Sequence, residues 1–483
     1  MRAPRLAVPS ADPGAPSAAL VALGASTIVF VAALSTREGA LISLGLCVGL
    51  LAFMTVLWGF MAVPHVTVAF VIPYFALLPA LKTLVSSQLG PTKDIMIGAA
   101  TIAAGLSVIQ RRAAGRTWRG DQPLLIITLL FMALYFLDVG AGLSGGSRYG
   151  LGWFHGVRLV WEPLLLLLFG LSVRDPRRTL RWAAVALIAA ALVAATVGLL
   201  QQVVGTPRLI SLGYSYNAQV RTISGHLRSF GTFDQPFDYA TVLAFGLAGV
   251  LLWARRGAAA TMAGVVIVAG LLVSYVRGAA LSVVALVALL LARKGSPATA
   301  VALLAASAAA AVVVVVVSTR PTPGPVVQTG PSIYLTLNGR TRSWRTALGK
   351  PSTWAFGRGV GLYGTAAQRA AQSRQPAGTT TPPPATATDS GYLATLSDVG
   401  FVGLIVLLTM FGRILVLLRR AIARNEQLAW FGLGVVIVLI LDAALRSSLT
   451  GFPTADIAFL FAGLTLAATH GQDHREAPVP GRA

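Results

Sequence analysis

The sequence predicts an all-α, polytopic membrane protein of about 14 transmembrane helices. Of its 483 residues 55% are hydrophobic and only 11% are charged, against about 25% charged in soluble domains. Apolar runs of roughly 20 residues, each long enough to cross a bilayer core as a helix, recur along the whole length. One soluble domain needs only one core, and a mean hydropathy of +0.75 spread over so many runs leaves no way to bury them in one. No short fixed repeat offers another. A soluble globular enzyme is thereby excluded.

The chain opens with MRAPRLAVPSADPGAPSAAL, which is basic and Pro-rich and leads into an apolar run. A cleaved signal peptide is one reading. A cytoplasmic tail over 1–16 is preferred, because no small-residue cleavage site follows. Spans are expected near 17–35, 40–62, 65–83, 93–110, 122–139, 156–173, 180–202, 236–254, 259–275, 278–293, 297–318, 391–418, 427–446 and 452–470. Together they make one transmembrane domain over 17–470. Only Val63-Pro64-His65 separates the second span from the third, and the short ninth and tenth flank Arg277 as a hairpin or a broken helix.

Alternate connections are basic: Arg111, Arg112, Arg116 and Arg119; Arg174, Arg177, Arg178 and Arg181; Arg255 and Arg256; Arg293 and Lys294; Arg419, Arg420 and Arg424. Short basic loops face the cytoplasm, so both termini, including a polar tail over 471–483, are expected on the cytoplasmic side of the membrane. The net charge of +22 is thus topogenic rather than a nucleic-acid footprint. Two long loops, about 203–235 and 318–390, then lie outside, where function concentrates on a rigid scaffold. Within the second, QPAGTTTPPPATAT (375–388) reads as a flexible surface segment. A single cysteine, Cys47, excludes an internal disulfide. The five histidines show no ligand spacing, so no metal and no cofactor are expected.

Outer-side arginines are the candidate binding residues, since the inside rule does not explain them. They are Arg158 in GVRLVWEP, Arg228 before SFGTFDQP, Arg277 in SYVRGA, and Arg342 and Arg358 in the second long loop. A guanidinium fork matches phosphate oxygens and stabilises charge on a leaving diphosphate. The competing reading has them snorkelling to headgroups or pairing with Glu162, Asp234, Asp398 and Asp442. Gly357–Gly364 has a formal GxGxxG spacing without a βαβ context, so a turn or an anion-binding nest of amides fits better. Asp389 is a candidate proton acceptor or hydroxyl-orienting group, or else a helix N-cap.

In order, the motifs GVRLVWEPLL, RSFGTFDQPFDYATVLAFG, SYVRGAALSV, GRTRSWRTALGKPSTWAFGRGVGLYG and DSGYLATLSDVGFVGL resemble the O-antigen ligase/O-antigen polymerase family of bacterial membrane glycosyltransferases. The resemblance implies a GT-C-like, all-helical enzyme. Such an enzyme moves a glycan from a polyprenyl diphosphate-linked oligosaccharide donor to an acceptor hydroxyl on a glycan, lipid or protein, without metal. By motif position Arg228, Arg277 and Arg342 would hold the diphosphate, with Arg158 and Arg358 in support. Asp389-Ser390 stands where family members often have His-Asn, which leaves the base open. A transporter or flippase of a lipid-linked or anionic solute is the alternative, although no internal repeat accompanies the charges. A non-catalytic scaffold that binds anionic lipid is a third reading.

Overall fold

The structure, a computed structural model, describes residues 37–113, 121–143, 149–216, 219–223, 225–254, 257–296, 298–299, 301–303, 354–362, 365–367, 369–370, 390–424 and 426–470. These form helices α1 (Arg37–Ala62), α2 (Pro64–Leu84), α3 (Thr92–Ala113), α4 (Gln122–Leu137), α5 (Val139–Leu143), α6 (Leu151–Ser172) and α7 (Pro176–Ser211). A small antiparallel hairpin, β1 (Arg221–Ile223) and β2 (His226–Arg228), follows. The remaining helices are α8 (Pro236–Leu252), α9 (Ala258–Val273), α10 (Arg277–Arg293), α11 (Gly391–Ala423), α12 (Gln427–Leu445) and α13 (Thr454–His470).

Twelve of the fourteen expected spans fall on these helices; 17–35 and most of 297–318 lie outside the described residues. Among the described residues seven helices are long and apolar enough to cross a membrane, and the apolar stretches of α8, α9, α10, α13 and Gly49–Ala62 of α1 are shorter. The protein is a helical, multi-pass membrane protein. The first of the two long loops begins later than expected. At Gly205 (φ 76°) α7 kinks, and helix resumes through Pro207 to Ser211. Gly tolerates that φ without strain, and Pro suits the first turn of the resumed helix. The short ninth and tenth spans are a reversal rather than one broken helix. Ser274 and Tyr275 turn the chain, after which α9 packs on α7 and α8 while α10 packs on α8 and α12.

The core runs through α6, α8 and α13. Tyr239, Val242, Leu243, Ala244, Phe245 and Ala248 of α8 are fully buried, as are Phe461, Leu464 and Thr465 of α13. A helix that is apolar and buried all round belongs at the centre of a bundle. The α6–α13 pair is the most extensive, with Gly170 and Gly463 facing each other so closely that a Cβ at Gly463 would sit 2.3 Å from the Leu167 carbonyl oxygen.

Polar contacts divide the bundle into two ends. At one end Arg111 donates to the Ser172 and Val173 carbonyls and Arg177 to the Ala468 carbonyl and the Glu426 carboxylate. There too Arg413 clasps Asp121 with two hydrogen bonds and Arg293 bonds the Leu252 carbonyl. The described members of the basic clusters read from the sequence lie at this end. The opposite end is charged with both signs.

Candidate functional site: the mixed-charge end of the bundle

Three groups of residues build this end. The first surrounds Arg446, just past the C-terminus of α12. Its guanidinium binds Asp442 at 2.5 Å, Asp238 at 2.7 Å and Thr241 at 3.0 Å. Asp442 and Asp238 hold this guanidinium, only 16% exposed, against the cost of burying a charge. The start of α10 adjoins this clamp, since a Cβ on Gly278 would meet Asp442 Oδ1 at 3.9 Å. Arg277 is therefore placed by its backbone beside the Asp442 pair; its side chain is outside the described residues. Arg228 closes the group: its Nε donates to the Ser274 carbonyl at 3.4 Å, and its guanidinium lies 4.9 Å from the Phe237 ring centre. The structure thus brings Arg228 and the Arg277 backbone to one edge.

The segment after Arg228 is held rigidly by α7. The Gln201 side chain accepts from the Phe230 and Gly231 amides and donates to the Gly231 carbonyl, while Ser229 Oγ donates to the Gly198 carbonyl at 2.6 Å. Gln201 is 4% exposed, so water cannot replace it. Gln201→Leu should cost about 3 kcal/mol or more, because three buried backbone groups lose partners at about 1–3 kcal/mol each. Thermal unfolding in detergent measures it, and an unchanged transition would mean that the segment is held by other means.

The second group lies between α3, α6 and α13. Arg158 binds Asp94 at 2.5 Å and Glu162 at 2.7 Å, and Lys93 binds Glu162 and lies 3.4 Å from Asp94. The Phe452 ring covers the Lys93 ammonium at 5.0 Å. Arg369, from the segment between α10 and α11, stands in the fields of Glu162, Arg158, Asp94 and Asp456; burial draws its pKa below the ordinary value against the pull of Glu162. Arg158 thus does pair with Glu162, as the competing reading had it, and with Asp94 besides.

The third group is the turn carrying Arg358, which inserts between α4, α5, α6 and α11. The Val360 amide donates to Asp138 at 2.8 Å and the Gly361 amide to Asp398 at 3.3 Å, while the Arg358 amide donates to the Ser397 carbonyl. Two amides of the supposed nest are therefore spent on internal carboxylates, because the turn is docked against the bundle rather than open to an external anion. Arg358 itself is 8% exposed. Its turn needs glycine: Gly357, Gly359 and Gly361 all have positive φ.

Arg342 and Asp389 lie outside the described residues. The residue after Asp389, Ser390, bonds the Ala443 carbonyl, and the Gly391 amide bonds the Arg446 carbonyl, so α11 starts against the Arg446 clamp. Among the described residues no cluster could hold a metal ion.

Residues 262–408 match the family model described as O-antigen ligase. The match supports the O-antigen ligase/polymerase family. The segment matching this O-antigen ligase family spans Arg277, Arg342, Arg358, Arg369 and Asp389, while Arg158, Arg228, Arg446 and Asp456 lie outside it. No curated protein matches the chain. Sequence reasoning passed over Lys93, Gln201, Arg369 and Arg446. Arg446 carried a signal, its i,i+4 spacing from Asp442; the others depend on helices far apart in sequence.

Proposed function

We propose that the protein is a GT-C-like membrane glycosyltransferase. It takes a glycan from a polyprenyl (undecaprenyl) diphosphate-linked donor and joins it to an acceptor hydroxyl at the outer membrane face, in polymerisation or ligation of surface polysaccharide. The observation that carries this reading is the O-antigen ligase match over 262–408, whose segment enters the mixed-charge end at Arg277 and Arg358. On this reading the basic end faces the cytoplasm, both termini are inside, and 17–470 works as one unit in the bacterial plasma membrane.

Arg228, Arg277 and Arg342 hold the diphosphate, with Arg158 and Arg358 in support. Their fixed positive charge stabilises the leaving diphosphate as its bond to the anomeric carbon breaks. To take part, Arg158 exchanges an internal carboxylate for a phosphate oxygen. Asp389 orients the acceptor hydroxyl or takes its proton, entering from the start of α11.

A deletion strain complemented with wild type or Arg277→Ala tests the reading. Surface polysaccharide is expected to collapse to single repeat units, or to stay on the lipid carrier, unless wild type is restored. Well-expressed Arg277→Ala should lower its formation by about a hundredfold or more, in the range seen when one charge-stabilising donor is lost. Unchanged polysaccharide in the deletion strain, with no second copy of the gene, would sink the reading.

A further inference from the structure

We propose that the network of Lys93, Glu162 and Asp456 is an exchangeable-proton site. Asp456 fills on glycan transfer with the proton of the acceptor hydroxyl and empties to solvent between turnovers. The coupling to transfer rests on the function proposed above; the proton site does not.

The network is graded from water to core. Side-chain exposure falls from 35% at Asp94 and 29% at Arg158 to 9% at Lys93 and Glu162, and Asp456 is 2% exposed. At the dry end Asp456 Oδ1 is buried without a hydrogen-bond partner among the described residues. An ionised oxygen left so is costly, which calls for a proton or a ligand to occupy it. Asp456 interacts electrostatically with Lys93, Glu162 and Asp94, and Arg369 faces it from the segment between α10 and α11. Two residues earlier in α13, Thr454 contacts Arg446, which is committed to Asp238 and Asp442. His155, on α6, lies in the fields of Arg158 and Arg369.

With all carboxylates ionised, Lys93, Arg158 and Arg369 balance Asp94, Glu162 and Asp456. One added proton leaves the network with a single positive charge, facing the diphosphate as it departs. The acceptor oxygen bonds to the anomeric carbon, and the anomeric bond to diphosphate breaks with its electron pair left on the phosphate oxygen. The hydroxyl proton, released directly or by way of Asp389, enters the network at Asp94. It comes to rest on Asp456 at the dry end of the network, whose net charge rises by one as the acceptor gives up its proton.

Infrared titration of the purified protein in detergent tests the site. Acidification should raise a protonated-carboxyl band that is missing in Asp456→Asn and retained, shifted, in folded Asp456→Glu. A titration unchanged by Asp456→Asn overturns the site. In complemented cells Asp456→Asn should slow polysaccharide formation by about a hundredfold, and Asp456→Glu should restore it with a displaced pH dependence. Normal polysaccharide in Asp456→Asn, when the deletion strain has none, overturns the coupling. Unchanged polysaccharide in the deletion strain overturns the transfer reading and leaves the infrared test of the site intact.

Discussion

Gly361→Val is expected to abolish the stable fold. A Cβ at Gly361 would lie 1.9 Å from the Gly152 carbonyl oxygen, and its φ of 77° is left-handed. Strain at such a φ costs about 1–3 kcal/mol. The backbone clash adds more, because carbonyl and helix α6 cannot both move aside. Gly225 separates the two costs. Its φ is 80° but a Cβ there meets nothing within 4 Å, so Gly225→Ala should cost only about 1–2 kcal/mol. Thermal unfolding of both variants in detergent checks this. A Gly361→Val protein as stable as Gly225→Ala would mean that the Arg358 turn is not docked as described. Docking matters for the proposed site, since it fixes both Arg358 and the kink of α11 at Gly400, whose Cβ would lie 2.3 Å from the Ala355 carbonyl.

Arg446→Gln should cost about 3–5 kcal/mol, the penalty for breaking a buried ion pair and stranding its partners. The side chains of Arg446, Asp238 and Asp442 are only 16%, 14% and 7% exposed, so solvent does little to relieve the two carboxylates. Adding Asp238→Asn and Asp442→Asn should recover much of the loss, because neutral amides no longer need the guanidinium. Arg446→Lys should recover less, since one ammonium cannot span two carboxylates and Thr241 in the same geometry. A thermodynamic cycle over these variants reads the coupling, and simple additivity would show that the three residues do not act together.

Helix positions were legible because hydropathy reports the lipid solvent directly, and each described span overlaps its apolar run, although α7 continues nine residues past the expected end at 202. Three kinds of feature were not. The kink at Gly205 reads in sequence as a helix end, because Gly and Pro stand two residues apart; only packing shows helix resuming after it. The partners of Arg158 at the site end join α3 to α6, and no local pattern links Asp94 to Arg158 across 64 residues. The i,i+4 pairs Arg158–Glu162 and Asp442–Arg446 were within reach, being local. Burial was not, so Lys93, which looks like a loop lysine at a helix start, proved to be 7% exposed.

The α3–α6 ion pairs also bear on how the protein is made. Synthesis runs from the N-terminus, so α3 and α6 enter the bilayer long before α13, the helix that covers α6. Lys93, Asp94, Arg158 and Glu162 carry two positive and two negative charges between them, all on segments completed by residue 172. Joined to one another they make a neutral set, and neutral pairs enter lipid at far lower cost than isolated ions. The half-built bundle can therefore wait in the membrane, with Asp456 joining it only when α13 is made and one of its carboxylate oxygens left without a hydrogen-bond donor among the described residues.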